Sequence, residues 1–455
     1  MKKLLIAVGV AALLAAGLAV ALTLKLRERP QGSLDTELKD VTVIHPKPPA
    51  SKPTAKRKRR NRYRYLPHDK RCWPNFGRDP QRSLALTSVH LGRPVRRFWV
   101  RGLRSYIEYP PSYCDGVLYV NNYRGVTFAL DAHSGKVLWK RRARGYKPST
   151  PAIDGPRLIV SSTNGTVTAF RRRDGRVLWQ LRVRGKVESS PVVVDRTVFF
   201  GATDGRLFAL ASRTGRIRWA FKTGGRINAS PSVYGQRVCI TTYAGSIFCV
   251  RRRDGHKLWS RYIKRDVLRY ESFYASASTD GRRLYTIARS GKVVALRARD
   301  GRVIWTRRLH TLGYSTPAVA YGRVFLGDFN GYLHAYRSRS GHELWRRRVH
   351  GRILGAPVVI GRLVFFSTLE QRTYAARVGD GRIVWRLRLG KYSPGIATER
   401  HYFFTLNGLV MAYWGRYPWL HAKAAAKRAK AKARAKARAK ARASRERRMA
   451  RPPKR

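Results

Sequence analysis

The chain has 455 residues, a length that does not force a split, because all-β barrels of more than average size fold as one domain. Hydrophobic residues at 43% and aromatics at 11% exclude a wholly disordered chain and supply a packed core. The formal charge of +71, from 96 Lys and Arg against 25 acids, excludes a balanced surface and favours polyanionic partners. Compositional bias that puts Arg wherever a surface tolerates it gives the same number.

Lys2 and Lys3 precede Leu4 to Leu24, 21 residues without a charge. A helix of that length, at about 1.5 Å per residue, crosses a hydrocarbon core of ~30 Å. Residues 1–24 are therefore expected to be an uncleaved, single-pass transmembrane anchor. Ala19-Val20-Ala21 resembles a signal-peptide cleavage site, but the apolar run is longer than the about 7 to 15 residues of such a segment. Basic residues flank both ends, Lys2 and Lys3 before it and Lys25, Arg27 and Arg29 after it, so charge leaves the orientation open.

Residues 25–82 are rich in proline and charge and read as a flexible tether. The run Lys56-Arg-Lys-Arg-Arg60-Asn-Arg62-Tyr-Arg64 either meets anionic lipid head groups, at ~1 kcal/mol per charge, or stays solvated.

A repeat follows. Gly135-Lys-Val-Leu-Trp139 recurs as Gly175…Trp179, Gly215…Trp219, Gly255…Trp259, Gly301…Trp305, Gly341…Trp345 and Gly381…Trp385. The tryptophans are 40 residues apart, except for 46 between Trp259 and Trp305. Prolines at 111, 151, 191, 231, 317, 357 and 394 keep the same phase, usually after Ser or Thr, with Ala277 in the fifth unit. Between proline and tryptophan lie two β-rich runs joined by a glycine turn, so each unit reads as four short strands, a propeller blade. Seven units are explicit. An eighth after Ser393-Pro394 lacks its Gly-x-x-x-Trp strand, and Arg97-Phe98-Trp99-Val100 supplies it, closing the ring and protecting the open sheet edge.

Ala129-Leu-Asp131-Ala-His-Ser134-Gly135-Lys-Val-Leu-Trp139 resembles the repeat of the pyrroloquinoline quinone (PQQ) family, Ala-x-Asp-x-x-Thr-Gly-x-x-x-Trp, over roughly residues 83–414. The resemblance implies that Trp99, Trp139, Trp179, Trp219, Trp259, Trp305, Trp345 and Trp385 dock between neighbouring blades. Arg171, Ala211, Arg251, Arg297, Arg337 and Arg377 stand where the first unit has Asp131, which argues against an acidic ligand there. The family holds quinoprotein dehydrogenases, with PQQ and calcium, and non-catalytic propellers like the lipoprotein of the outer-membrane barrel-assembly machinery. This chain resembles the latter more.

A calcium site needs several oxygen ligands and alcohol oxidation a carboxylate base. Asp174, Asp204, Asp254, Asp280, Asp300 and Asp380 each precede a turn glycine and read as turn formers. The adjacent cysteines that the resemblance implies for a dehydrogenase are absent, as are phosphate-loop, zinc-protease and serine-nucleophile motifs. No cofactor, metal or catalytic residue is expected. Cys239 and Cys249 flank a hairpin and face one another if its loop has three residues, or lie on opposite faces if it has two. Cys72 and Cys114 then pair by elimination. Four cysteines suit an oxidising compartment, buried free thiols being the other reading. The six extra residues before Trp305 fall near Lys264, Arg265, Arg269 and Tyr270, a candidate interaction loop or a neutral insertion.

Ala422 to Arg455 carries sixteen Lys and Arg and one acid, with no apolar residue larger than Ala from 429 to 443. Such a tail, disordered or helical, cannot bury a core and binds polyanions by counterion release. The expectation is an all-β, eight-bladed propeller (83–414) with an N-terminal transmembrane helix, a linker and a basic tail (415–455). It acts as a membrane-anchored, extracytoplasmic, non-enzymatic scaffold for a protein partner. Its tail meets an anionic envelope polymer or lipid. A PQQ-dependent dehydrogenase, with carboxylates clustered in the central channel, is one alternative. A cytoplasmic body whose tail tethers nucleic acid is another.

Overall fold

The computed structural model describes residues 42–44 and 72–415, apart from 90, 143, 144, 147, 267, 268 and 393. The expected span at 4–24, the basic run at 56–64 and the tail from 416 lie outside the described residues. No helix among the described residues is long and apolar enough to cross a membrane.

Eight antiparallel sheets form a ring. The third blade is typical: Val192–Val194 lies innermost, followed outward by Thr197–Gly201, Arg206–Ala211 and Ile217–Lys222, while the second blade, Ala152–Asp154 to Val177–Arg182, carries Thr42–Ile44 as a fifth, outermost strand. Innermost strands of successive blades pack against one another around an axial channel. In the eighth blade Ile396–Ala397, His401–Leu406 and Leu409–Gly415 are completed by Pro94–Gly102, so the first long strand seals the ring against the last.

The repeat signature has a direct packing cause. Trp179 is fully buried, and its Nε1 donates to Ser212 O of the next blade at 2.8 Å. Trp99, Trp139, Trp219, Trp259, Trp305 and Trp345 likewise donate across the blade boundary, at 2.7–3.1 Å. Trp385 instead stacks on Phe404, with centroids 5.4 Å apart. The glycine of each unit serves the tryptophan of the blade before it. A Cβ on Gly215, where φ is +74°, would lie 2.7 Å from the Trp179 ring. Across the strand pair each indole faces a small residue, as in Ala169 opposite Trp179 and Ala209 opposite Trp219.

Cys249 takes that alanine position opposite Trp259. Its other neighbour is Cys239, directly opposed, and the two form a disulfide with Cα atoms 4.1 Å apart. Equivalent pairs in other blades are Tyr119 with Ala129 and Phe199 with Ala209, so the disulfide replaces an aromatic–alanine contact. Residues before the phased prolines form a belt around the channel. The amides of Thr150, Ser190, Ser230 and Ser276 each donate to the hydroxyl of the next blade's Ser or Thr.

Residues 72–82, assigned to the tether by composition, lie inside the ring. Cys72 is bonded to Cys114 of the first blade, and Trp73, 1% exposed, pairs with Tyr113. The carbonyls of Pro74, Pro80, Gln81, Ser83 and Leu84 then accept from the innermost strands of blades two, four, five, six and seven, at Ile153, Val233, Thr279, Val319 and Val359. Ala85–Leu86 runs parallel to Val358–Ile360, and Gly92 O accepts from Tyr402 in the eighth blade. Proline and charge in this stretch are turn and plug chemistry rather than linker chemistry. Arg78, Arg82 and Leu84 take positive φ.

Candidate functional site

Antiparallel connectivity gives the ring two faces. Turns between first and second strands, and between third and fourth, lie on one. Second–third turns and blade-to-blade loops lie on the other.

The plug fills the channel from the first face. Arg82 is fully buried, and its guanidinium donates to Phe76 O and Pro231 O, each at 2.6 Å, and to Ser190 O at 2.9 Å. Burial pushes its pKa down to about 9, with Asp79 opposing that shift. Asp79 accepts from the Ser83 amide and hydroxyl, and burial raises its carboxyl above the usual range.

The channel stays open on the second face, as a cup of about 250 Å³ floored by Phe76 and lined by Glu108, Tyr109, Asn228, Tyr274, Tyr314 and Tyr392. These residues come from the blade-to-blade loops, where Glu108, Asn228, Tyr274 and Tyr314 occupy one repeat position, three residues before Pro111, Pro231, Ala277 and Pro317. Glu188 holds the same position before Pro191 and accepts from Asn228 Nδ2. Tyr123 Oη donates to Glu108 Oε2 at 2.5 Å. Burial raises the Glu108 pKa above the carboxylate range, the Glu188 charge raises it further, and the Tyr123 bond opposes both.

Tyrosines extend from the cup over the second face. Tyr146, Tyr123, Tyr106 and Tyr392 form one chain of ring contacts at 5.2–6.0 Å. Tyr243, Tyr274 and Tyr314 form another at 5.9–6.3 Å. Cations are exposed on both faces: Arg124, Arg184, Lys186 and Arg226 on this one, and a ring of them on the opposite one. The residue after each third–fourth turn glycine is exposed, and it is Lys136, Arg176, Arg216, Arg302 or Arg382, with His256 and His342 at the remaining two.

The turn aspartates have structural partners. Asp174, Asp204, Asp254, Asp280, Asp300 and Asp380 each accept from the amide two residues on. Arg171, Arg251 and Arg297 reach back to Asp174, Asp254 and Asp300. The motif thus keeps its i,i+3 side-chain contact while exchanging Asp131 and Ser134 for Arg and Asp. The longer loop lies on the tyrosine face. Lys264 bridges Tyr270, Arg269 pairs with Asp266 at 3.1 Å, and Tyr270 packs on Tyr262. A shallow hollow beside it contains Arg265 and Arg308.

Residue-by-residue reading of the sequence passed over Glu108, Glu188 and Asn228. Sorting residues by repeat position is the signal that finds them.

The sequence profile of the family described as outer membrane protein assembly factor BamB matches residues 96–307, 269–350 and 289–398. The chain belongs to this family. No curated protein sequence matches it. Among solved structures, BamB from Moraxella catarrhalis is 15% identical over 70% of this chain and 99% of its own, with a TM-score of 0.61. The quinohemoprotein alcohol dehydrogenase from Comamonas testosteroni is 13% identical over 76% and 80%, TM-score 0.63. The computationally designed Ika8 protein is 12% identical over 71% and 100%, TM-score 0.61. Likenesses at these identities show the fold alone.

PQQ with calcium fits this cup poorly. Glu108 is the one acid in the cup lining, too few oxygen ligands for calcium, and a flat polycarboxylate quinone would lie against its carboxylate, over a floor where Phe76 meets Tyr109 edge-on. The repeat tryptophans are committed to blade boundaries, and both cysteine pairs are in disulfides outside the cup lining.

Proposed function

We propose that the protein is a membrane-anchored, non-enzymatic scaffold of the cell envelope that binds a protein partner through its tyrosine face. One observation carries the reading: tyrosines gather around the channel mouth on one face of the ring, in two chains of ring contacts. Tyrosine is enriched where proteins bind, because it brings large contact area and a hydrogen-bonding tip at low entropic cost. Residues 4–24 hold the protein in the membrane, and the basic tail from 415 grips anionic lipid or an envelope polymer. Two disulfides and membership of the BamB family support a body outside the cytoplasm. No cofactor belongs to this function.

A photo-crosslinking residue at Tyr146, 59% exposed, tests the reading against the same residue at Arg213 on the opposite face. The expected result is a discrete protein adduct in intact cells from position 146 alone. A membrane-impermeant thiol reagent should label intact cells only after reduction. Thiols that label only after lysis, without reductant, would favour the nucleic-acid tether. Dye reduction that requires added PQQ and calcium would overturn the scaffold in favour of the enzyme.

A further inference from the structure

We propose that the axial cup receives a primary alkylammonium group, presented as a lysine side chain by the protein that docks on the tyrosine face. This rests on the scaffold reading and adds the chemistry of its central contact.

The first argument is an unbalanced pair of charges. Several acids of the ring are paired with a cation, Asp115 with Arg172 at 3.2 Å, Glu271 with Lys292 at 3.5 Å and Glu370 with Arg352 at 2.8 Å. Glu108 and Glu188 have no cation within 4.0 Å among the described residues, although the chain carries 96 Lys and Arg against 25 acids. Each instead takes one neutral donor, Tyr123 or Asn228, and Glu188 adds to the cost of ionising Glu108. A cation entering the cup removes that repulsion.

The second argument counts hydrogen bonds. Asn228 donates to Glu188 and so holds that carboxylate beside the cup. Glu108 and Glu188 each commit one oxygen, Oε2, to their neutral donors. Glu108 lines the cup and its Oε1 is left to accept an N–H of a –NH3+ group, with the Glu188 carboxylate held behind Asn228 adding its charge. A quaternary ammonium has none to offer.

The third argument is shape. Tyr109, Tyr274, Tyr314 and Tyr392 wall the cup and suit an alkyl chain that ends in a cation. The rim already shows that pairing, with Lys391 Nζ 5.6 Å from the Tyr106 ring centre and 5.7 Å from that of Tyr392. A volume of about 250 Å³ admits a side chain and no more of a protein. The tyrosine chains on either side supply contact for the surface that carries it, which a free amine would leave unused.

The test uses the full chain in detergent, with Nα-acetyl-lysine methylamide, its norleucine counterpart, butylammonium and calcium as separate probes in calorimetric titration. Binding of the lysine probe, weakened at least tenfold in both Glu108→Gln and Glu188→Gln and absent for norleucine, is the expected result. Equal binding of norleucine, or unchanged affinity in Glu108→Gln, overturns the proposal. So does calcium binding without lysine binding. In cells, the adduct from position 146 should fall sharply in the double variant Glu108→Gln, Glu188→Gln, with thermal melting showing that the ring is folded. An adduct that persists there leaves the scaffold standing and removes the lysine contact, and if butylammonium still binds, the ligand is a free amine. No adduct in the otherwise unmodified protein removes the scaffold itself.

Discussion

Replacing Arg82 tests whether the plug is held by hydrogen-bond geometry or by charge. Arg82→Met leaves the carbonyls of Phe76, Ser190 and Pro231 without their donor, at roughly 1–3 kcal/mol each. It also removes a buried cation whose pKa has fallen from 12.5 to about 9, which corresponds to about 5 kcal/mol of cost to the charged form. The two effects nearly cancel, and the methionine variant should lose only about 1 kcal/mol. Arg82→Lys keeps a charge, replaces a weakly hydrated guanidinium by a strongly hydrated ammonium, and cannot span three carbonyls with a fixed fork. It should lose about 3–5 kcal/mol, the cost typical of a badly compensated buried ion. Urea unfolding at pH 7, followed by tryptophan fluorescence, measures both. A lysine variant as stable as the unmodified protein, with a methionine variant that collapses, would refute this reasoning and make charge the holding force.

Trp179→Ala should cost roughly 3–5 kcal/mol, as for other large buried aromatics. Trp385→Ala should cost less, because Trp385 is only partly buried and stacks rather than docks; thermal melts compare the two. Gly215→Ala should destabilise as much as a severe overpacking change, roughly 1–3 kcal/mol plus left-handed strain, although it adds one methyl group. Opening Cys239–Cys249, whose partners are 10 residues apart, should cost about 3 kcal/mol. The double variant Cys239→Phe, Cys249→Ala, which copies the third blade, should recover part of that in denaturant titrations. The folded pKa of Glu108 lies above its unfolded value, so this group adds stability below the unfolded pKa and loses it as pH rises through the folded pKa. Glu108→Gln should therefore melt roughly 1–2 °C higher at pH 7, with the gap closing toward pH 4.

The ring was legible because its periodic residues report contacts that recur once per blade. A tryptophan needs a glycine to lie on, an alanine opposite it and a carbonyl for its Nε1, so three of the motif's positions are fixed by one side chain. The missing eighth outer strand could be placed at Arg97–Val100 because an open ring leaves a bare sheet edge. The plug was not legible, since residues 72–92 meet most of the blades through backbone carbonyls and leave no side-chain period. The cup was hidden for a related reason. Glu108, Glu188, Asn228, Tyr274 and Tyr314 share one repeat position, but their chemistry differs from blade to blade, as expected where a ring builds an asymmetric site on its axis.

The bond between Cys72 and Cys114 also sets how force travels through the molecule. Any pull on the chain ahead of Cys72 reaches Cys114, on the innermost strand of the first blade, through a covalent link. Everything between these two cysteines, which are 42 positions apart, the plug and the closing strand Pro94–Gly102 included, sits in a slack loop. Tension that would otherwise unzip the seam between Pro94–Gly102 and Leu409–Gly415 is diverted into the wall of the ring, and a reducing agent turns the same pull into one that draws out the plug first and the seam after it.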